Sequence, residues 1–461
     1  GNTKTALSET RTDVSLIASD NKRVIVGLGA TGLSVARYLS SRGLPFAVAD
    51  SREQPPGLDD FRQAYPDVEL QLGAFSDEQF TGASELLVNP GIPLSEPAIA
   101  AAAKAGVRIS GDIDCFHEAA KAPIVAITGS NGKSTVTTLV GDMADRAGLR
   151  VAVGGNLGTP ALDLLSDDCE LYVLELSSFQ LERCQQLGAK VATVLNVSAD
   201  HLDHHGSMLA YHQAKHRIFQ GCKKVVINAD DSLTQPLVPE DVEKWVFSLG
   251  RSDFRRFGLL EQPGQRYLAL AREPLMSADE LRIAGRHNLS NALAALAIGA
   301  AADLPMAAML DTLREFPGLP HRCEFVDEQN GVRFYNDSKG TNVGASVSAI
   351  EGLAEQGRVV LIAGGLGKGG DFAPLAEALR RHGRAAVLIG EAAPQIASAI
   401  NNQVPTVNAD SMSAAVAAAR KLAETGDVVL LSPACASFDM FRSYGDRGEQ
   451  FCEAVREVSH A

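Results

Sequence analysis

Pro123-Ile-Val-Ala-Ile-Thr-Gly-Ser-Asn-Gly-Lys-Ser134 is the stretch from which the fold is read. A short apolar run passes into a glycine-rich turn, and a helical pattern follows. This is the strand–turn–helix setting of a phosphate loop. Backbone N–H groups of the turn can wrap phosphate oxygens, Lys133 can neutralise β/γ charge, and Ser134 can ligate Mg²⁺. The strict GxxxxGK[ST] pattern would need glycine at Ile127; here the glycine stands at 129.

A second phosphate-loop candidate lies upstream. Arg23-Val-Ile-Val-Gly-Leu reads as a buried strand, a helix fits residues 31–42, and Phe46-Ala-Val-Ala-Asp50 reads as the next strand. This is a βαβ unit. Its turn is Gly27-Leu-Gly-Ala-Thr-Gly32, a GxGxxG that can bring backbone and helix N-terminus against a diphosphate. Asp50 falls where a ribose hydroxyl is commonly held. Taken alone, this loop fits NAD or FAD, a nucleotide-diphosphate sugar, or a tight turn with no ligand. Two phosphate loops in one chain suit one nucleotide-linked substrate and one consumed nucleotide, and a simple dehydrogenase has no use for the second.

Further strands are expected at Glu85–Val88, Val107–Ile109, Leu171–Leu176, Val191–Val197 and Lys224–Asn228, then near Val332–Tyr335, Val359–Ala363, Ala386–Ile389 and Val428–Leu431. Strands alternating with helices predict parallel sheets covered on both faces. The expectation is an α/β chain of three domains with boundaries near 112 and 319: 21–111, 112–318 and 319–461. Residues 1–20, polar and without an apolar core, read as a flexible leader rather than a secretory signal.

Composition narrows the class. The 461 residues are 45% hydrophobic and 21% charged, which describes a multidomain globular chain rather than a disordered one. A net charge of −14 argues against nucleic acid as partner. Seven scattered cysteines, with no CxxC pair, point to free thiols in a reducing cytosol. No apolar run reaches membrane-spanning length, so no membrane insertion is expected.

The loop Thr-Gly-Ser-Asn-Gly-Lys-Ser resembles the ATP loop of the Mur ligase family, and the resemblance continues in family order along the chain. Gly154-Gly-Asn-Leu-Gly158, Glu175-Leu-Ser-Ser-Phe-Gln180, Asn196-Val-Ser-Ala-Asp-His201, Tyr211–Lys215, His287-Asn-Leu-Ser-Asn291, Pro320-His-Arg322 and Asn336-Asp-Ser-Lys339 all look like family segments. The tail Ser432-Pro-Ala-Cys-Ala-Ser-Phe-Asp439 resembles the D-glutamate-adding branch, and no D-N-P-R motif of the diaminopimelate-adding branch occurs.

The resemblance implies a Rossmann-like UDP-binding domain, a central P-loop ATPase domain and a C-terminal Rossmann-like domain that binds the amino acid. It implies a cytoplasmic monomer that joins D-glutamate to UDP-N-acetylmuramoyl-L-alanine through an acyl phosphate, in peptidoglycan precursor synthesis. ATP, Mg²⁺ and CO₂ (the last on Lys215 as an N-carbamate) are the implied cofactors. Carbamate formation needs a neutral amine, and His212, His216 and Arg217 are neighbours in sequence that could favour one.

By family position, Lys133, Glu175, His201, Lys215 and Lys368 are catalytic, and Ser134, Glu175, His201 and carbamylated Lys215 hold metal. Asp200-His-Leu-Asp-His-His205 also invites a zinc reading, but the spacing is too tight and no cysteine stands near. ATP contacts fall to Gly129, Ser130, Asn131, Gly132, Lys133, Ser134, Thr135, Asn288, Asn291, Arg322, Asp337 and Lys339. UDP-substrate contacts fall to Gly29, Ala30, Thr31, Asp50, Ser51, Arg52, Asn89, Gly91, Asn156 and His201. The D-glutamate pocket falls to Thr341, Lys368, Ser437, Phe438 and Tyr444. Ala199 replaces an acidic residue common in the family, and Phe438 and Tyr444 stand where Leu and Phe are usual. The alternatives are another Mur-type or folylpolyglutamate-type ligase, an NAD-dependent dehydrogenase using Gly27–Gly32, and a nucleotide-binding regulator without turnover. Closing of the outer domains on substrate is also expected, to shield a water-sensitive acyl phosphate.

Overall fold

The computed structural model describes residues 22–156, 158–197, 207–367 and 369–459. The expected leader 1–20, His201 and Lys368 therefore lie outside the described residues. The chain carries three sheets and divides into two compact units. The first unit runs to Gly258 and includes Ala294–Met309; the second comprises Leu259–Leu293 and Leu310 onward.

In the first unit, strands β1 (Arg23–Val26), β2 (Phe46–Asp50), β3 (Leu70–Leu72), β4 (Glu85–Val88) and β5 (Arg108–Ser110) form a parallel sheet in the order β3-β2-β1-β4-β5. The order reverses between β1 and β4, so the crevice beyond their carboxyl ends is the natural ligand edge. Gly27 and Asn89 follow those two strands. The predicted helix begins one residue earlier than expected, at Ala30–Ser41.

The second sheet of this unit is built from β6 (Ile124–Thr128), β7 (Val151–Gly155), β8 (Leu171–Glu175), β9 (Val191–Val194), β10 (Lys224–Asn228) and β11 (Glu243–Arg251). These six run parallel in the order β11-β10-β9-β6-β8-β7. Every residue of β6, β8 and β9 is buried, as expected of strands covered on both faces. One apolar core joins the two sheets of this unit and includes Ile25, Val35 and Leu39 together with Phe116, Tyr172 and Leu174.

The division between units falls inside β12 (Arg256–Gln262). The second unit opens with a hairpin that sequence reading did not foresee, β13 (Gln265–Leu270) against β14 (Glu273–Ser277), antiparallel. Its main sheet contains β15 (Glu324–Gln329), β16 (Val332–Asn336), β17 (Val359–Gly364), β18 (Gly383–Ile389), β19 (Thr406–Asn408) and β20 (Val428–Leu431), in the order β15-β16-β20-β17-β18-β19. Only β15 runs antiparallel, so the all-parallel expectation fails at this edge. The carboxyl ends of β16, β20 and β17 lead into the Asp337, Ser432 and Gly365 loops, which gives this sheet a single ligand edge.

Candidate functional site

In the first unit the phosphate loop joins β6 to the helix Lys133–Arg146. Gly132 caps that helix at φ 80°, a left-handed conformation that glycine adopts freely. The helix N-terminus opens directly from the loop. Ser134 Oγ donates to Glu175 at the end of β8, 3.1 and 3.2 Å from the two carboxylate oxygens. A hydroxyl beside a buried carboxylate is an oxygen-only donor set, the kind that Mg²⁺ prefers. Among the described residues no cluster of three or more His, Cys, Asp or Glu suited to a metal occurs.

Two lysines converge on the same carbonyl. Lys133 Nζ donates to the Gly129 oxygen at 2.9 Å and Lys215 Nζ at 2.8 Å. Lys215 is 1% exposed and sits 4.5 Å from the centre of the Tyr211 ring. The Tyr211 hydroxyl lies 2.9 Å from Ser130 Oγ, so one helix, Met208–His216, holds both the lysine and the loop. His212 and His216 turn elsewhere, each ring meeting the Leu233 carbonyl, and Arg217 donates to the Cys184 carbonyl. Three side chains that adjoin Lys215 in sequence thus find their polar partners elsewhere.

Asn196, overlooked as a site residue, closes the loop from outside. Its Oδ1 accepts from the Ser130 and Asn131 N–H groups at 2.9 and 2.8 Å, and its Nδ2 donates to the Asn131 carbonyl. It is the first residue of the N-x-x-x-D-H segment, so the signal was there, with the role unassigned. Asn156 is placed by its own N–H, which donates 2.7 Å to the Glu175 carbonyl. Thr135 lies in the first turn of the loop's helix.

At the other ligand edge of this unit, Asp50 is committed to its own loop. Its carboxylate accepts from the Leu28 N–H at 2.8 Å, the Arg52 N–H at 2.9 Å and the Arg52 guanidinium at 2.8 and 2.9 Å. Burial opposes its charge, but the Arg52 guanidinium and the two N–H groups outweigh it and hold the carboxyl below its usual range. Asp50 therefore shapes the Gly27–Gly32 turn as well as standing beside it. Ser51 and Arg52 are exposed at the same rim, and Ala30 and Thr31 open the helix. A side chain at Gly29 would meet Asn89 Nδ2 at 2.3 Å, so the two loops pack as one surface. Gly91 lies in the turn after Asn89.

In the second unit, Asp337 follows β16 and accepts from the Cys323 N–H at 3.1 Å and Ser432 Oγ at 2.7 Å. Burial pushes its carboxyl up to about 6, against the Ser432 and Cys323 donors and the Arg322 and Arg447 charges. Lys339 Nζ lies 5.9 Å from the Tyr444 ring centre; partial burial and the Arg322 charge lower its pKa. Arg447, fully buried, ties the loops together by donating to Ser338 Oγ, the Ser338 carbonyl and the Cys435 carbonyl. Ser437 is buried while Phe438, at 70% exposure, and Tyr444 stand open, and Thr341 is exposed on the same loop as Lys339. Asn288 and Asn291 share one face of the helix beginning at Arg286 and bond to each other.

The chain matches three family models: Mur ligase MurD-like, N-terminal domain over residues 21–111, Mur ligase middle domain over 127–299, and Mur ligase, glutamate ligase domain over 321–435. The UDP-N-acetylmuramoylalanine-D-glutamate ligases of Pseudomonas fluorescens and Pseudomonas aeruginosa are each 57% identical over 97% of this chain and 100% of their own length. The enzyme of that name from Marinobacter nauticus is 56% identical over 95% of this chain and 98% of its own. Among solved structures, a UDP-N-acetylmuramoyl-L-alanyl-D-glutamate-2,6-diaminopimelate ligase aligns with a TM-score of 0.60 at 18% identity, covering 95% of this chain and 93% of that one. The UDP-N-acetylmuramate-alanine ligase of Thermotoga maritima aligns at 0.53 and 19% identity, covering 95% and 99%. These two bear on the fold alone.

Proposed function

The chain belongs to the Mur ligase family, and from that premise we propose that it is the ATP-dependent ligase that joins D-glutamate to UDP-N-acetylmuramoyl-L-alanine in peptidoglycan precursor synthesis. The observation that carries the specific reaction is full-length identity of 57% to ligases of that name. The phosphate-loop geometry supports the chemistry.

The substrate's alanyl carboxylate attacks the γ-phosphorus of ATP. An O–P bond forms, the bond to ADP breaks, and the acyl phosphate carries an activated carbonyl. The D-glutamate amine then attacks that carbonyl, the C–N bond forms, a proton is lost and phosphate leaves. Such transfers depend on positioning and charge neutralisation. Lys133, at the mouth of the loop, supplies a cation to the β/γ-phosphates, and the N–H groups at the start of the Lys133–Arg146 helix supply fixed dipoles. Ser134 and Glu175 are the oxygen donors for Mg²⁺, which when bound neutralises phosphate charge. Lys215 is proposed to serve as its N-carbamate; CO₂ converts the amine to an anionic oxygen donor with loss of a proton. His201 and Lys368 keep their family roles as metal and substrate contacts by sequence position.

Gly29, Ala30, Thr31, Asp50, Ser51, Arg52, Asn89, Gly91 and Asn156 are assigned to the UDP-linked substrate. Asn288, Asn291, Arg322, Asp337 and Lys339 are assigned to ATP, and Thr341, Ser437, Phe438 and Tyr444 to D-glutamate. Domain limits of 21–111, 112–318 and 319–461, a cytoplasmic setting and a monomeric state belong to the same proposal. No described helix is long and apolar enough to cross a membrane.

Phosphate release from ATP and Mg²⁺ tests the reading, with UDP-N-acetylmuramoyl-L-alanine present and the amino acid varied. Release that requires D-glutamate, and that neither L-glutamate nor L-alanine restores, is expected. Release only with another acceptor or amino acid would overturn the substrate assignment.

A further inference from the structure

Arg183 is a buried charge to which the reaction above gives no task. It follows the short helix Ser178–Glu182 and is 1% exposed. Its Nη1 donates to the Asn89 carbonyl at 2.6 Å and the Ile92 carbonyl at 2.8 Å. Those carbonyls bracket the turn after β4, which the Ile92 N–H closes on the Asn89 oxygen at 3.0 Å. Arg183 thus grips both ends of the turn that carries Asn89 and Gly91, and the Asn89 side chain packs directly on Gly29 of the diphosphate loop. The arginine stem needs a bare backbone beside it, since a side chain at Gly111 would meet its Cγ at 3.0 Å.

At its other end Arg183 is anchored to the ATP side. Ser177 and Gln180 form a reciprocal capping box, Ser177 Oγ accepting from the Gln180 N–H and Gln180 Oε1 from the Ser177 N–H. That box starts two residues after Glu175, the expected metal carboxylate. A continuous path therefore runs from Glu175 through one turn of helix to Arg183, then to Asn89 and the loop that takes the diphosphate.

The hydrogen bonding of Arg183 is incomplete. Its Nε and Nη2 have no hydrogen-bond partner within the described residues, although Asp112 and Glu182 lie near enough to act on its charge. Burying a guanidinium with unsatisfied N–H groups is costly, and removing it would leave the Asn89 and Ile92 carbonyls short of a donor. We propose that Arg183 is a positioning residue for the UDP-linked substrate: it fixes the Asn89–Ile92 turn against Gly27–Gly32 and couples that loop to the strand end bearing Glu175. The inference rests on assigning Gly27–Gly32 to the diphosphate.

The test uses Arg183→Met and Arg183→Lys in the full-length enzyme, with KM for each substrate, kcat, melting temperature and calorimetric titration of UDP-N-acetylmuramoyl-L-alanine. Methionine keeps volume and removes the fork. The expected result is a KM for the UDP-linked substrate raised roughly tenfold, equivalent to about 1.4 kcal/mol of binding. KM for ATP should stay within about twofold on the same scale. Lysine, which brings a point charge without the fork, should recover only part of the loss. An unchanged UDP-substrate KM in an active enzyme would overturn the proposal, as would a parallel rise in both KM values with a lowered melting temperature. If the parent protein shows no D-glutamate-dependent turnover, the reaction assignment fails instead. The titration then decides on Arg183 by itself, since undiminished binding in Arg183→Met would refute it.

Discussion

At the residue scale, Lys215 has the most to explain. A lysine on a helix is ordinarily a surface group, and its sequence neighbours His212, His216 and Arg217 looked like the means of tuning it. The structure gives it a different setting: a buried amine against the Gly129 carbonyl and the Tyr211 ring, with the two imidazoles and the guanidinium directed to other carbonyls. Burial was legible only through the motif, because nothing in local composition separates a buried lysine from an exposed one. The carbamate reading predicts that Lys215→Ala lowers kcat by at least about a hundredfold, the scale of losing a placed charge in an active site. Activity should fall when CO₂ is stripped from the buffer, and a short-chain carboxylic acid should restore part of the Lys215→Ala loss. Full activity in Lys215→Ala, or indifference of the parent enzyme to CO₂, would remove the role.

At the element scale, the strands that sequence reading placed lie in parallel pairings and, β5 excepted, are mostly buried. β6, β8, β17 and β20 announce themselves as apolar runs ending in glycine, acid or serine, and their carboxyl ends carry the loops that matter. The strands it missed were β3, β7, β11, β12, β13, β14, β15 and β19, all partly or wholly exposed, and charged residues on the open face blur the alternation of β11 to β15. Cross-loop ties such as Asn196 on the phosphate loop or Arg447 on Ser338 join residues far apart in sequence, and a local motif can mark one residue, as it does Asn196, without naming its distant partner. Asp337 is the junction of three such segments, and its titration tests that packing. Its folded carboxyl lies at about 6, above the ordinary carboxylate value, so the folded state binds the proton more tightly than the unfolded chain. This group's contribution is therefore most favourable below pH ~4 and declines as pH rises toward ~6. Asp337→Asn keeps an acceptor for the Cys323 N–H and should flatten that decline, gaining on the order of 1–3 kcal/mol relative to the parent at neutral pH. It should also impair ATP-dependent turnover. Parallel urea-unfolding free energies for the two proteins from pH ~4 to ~7 would contradict the assigned burial.

At the scale of the whole molecule, three sheets present three ligand edges at strand carboxyl ends, two in the first compact unit and one in the second. Fold class followed from the recurrence of strand, turn and helix, and the order of motifs along the chain specified the family. The compact units do not follow the three sheets, because the split falls inside β12 and returns through the Arg286–Ala301 helix, a division that linear sequence gives no sign of. The central claim is that these edges cooperate in one amide synthesis through an acyl phosphate. The most direct measurement is isotope transfer: UDP-N-acetylmuramoyl-L-alanine bearing heavy oxygen in its alanyl carboxylate is turned over with ATP and D-glutamate, and the released phosphate is analysed by mass spectrometry. The predicted result is heavy oxygen in the phosphate, in proportion to a UDP-linked product that has gained one glutamyl residue. Product formation with unlabelled phosphate would contradict the acyl-phosphate route, and labelled phosphate without glutamyl product would contradict the ligase assignment.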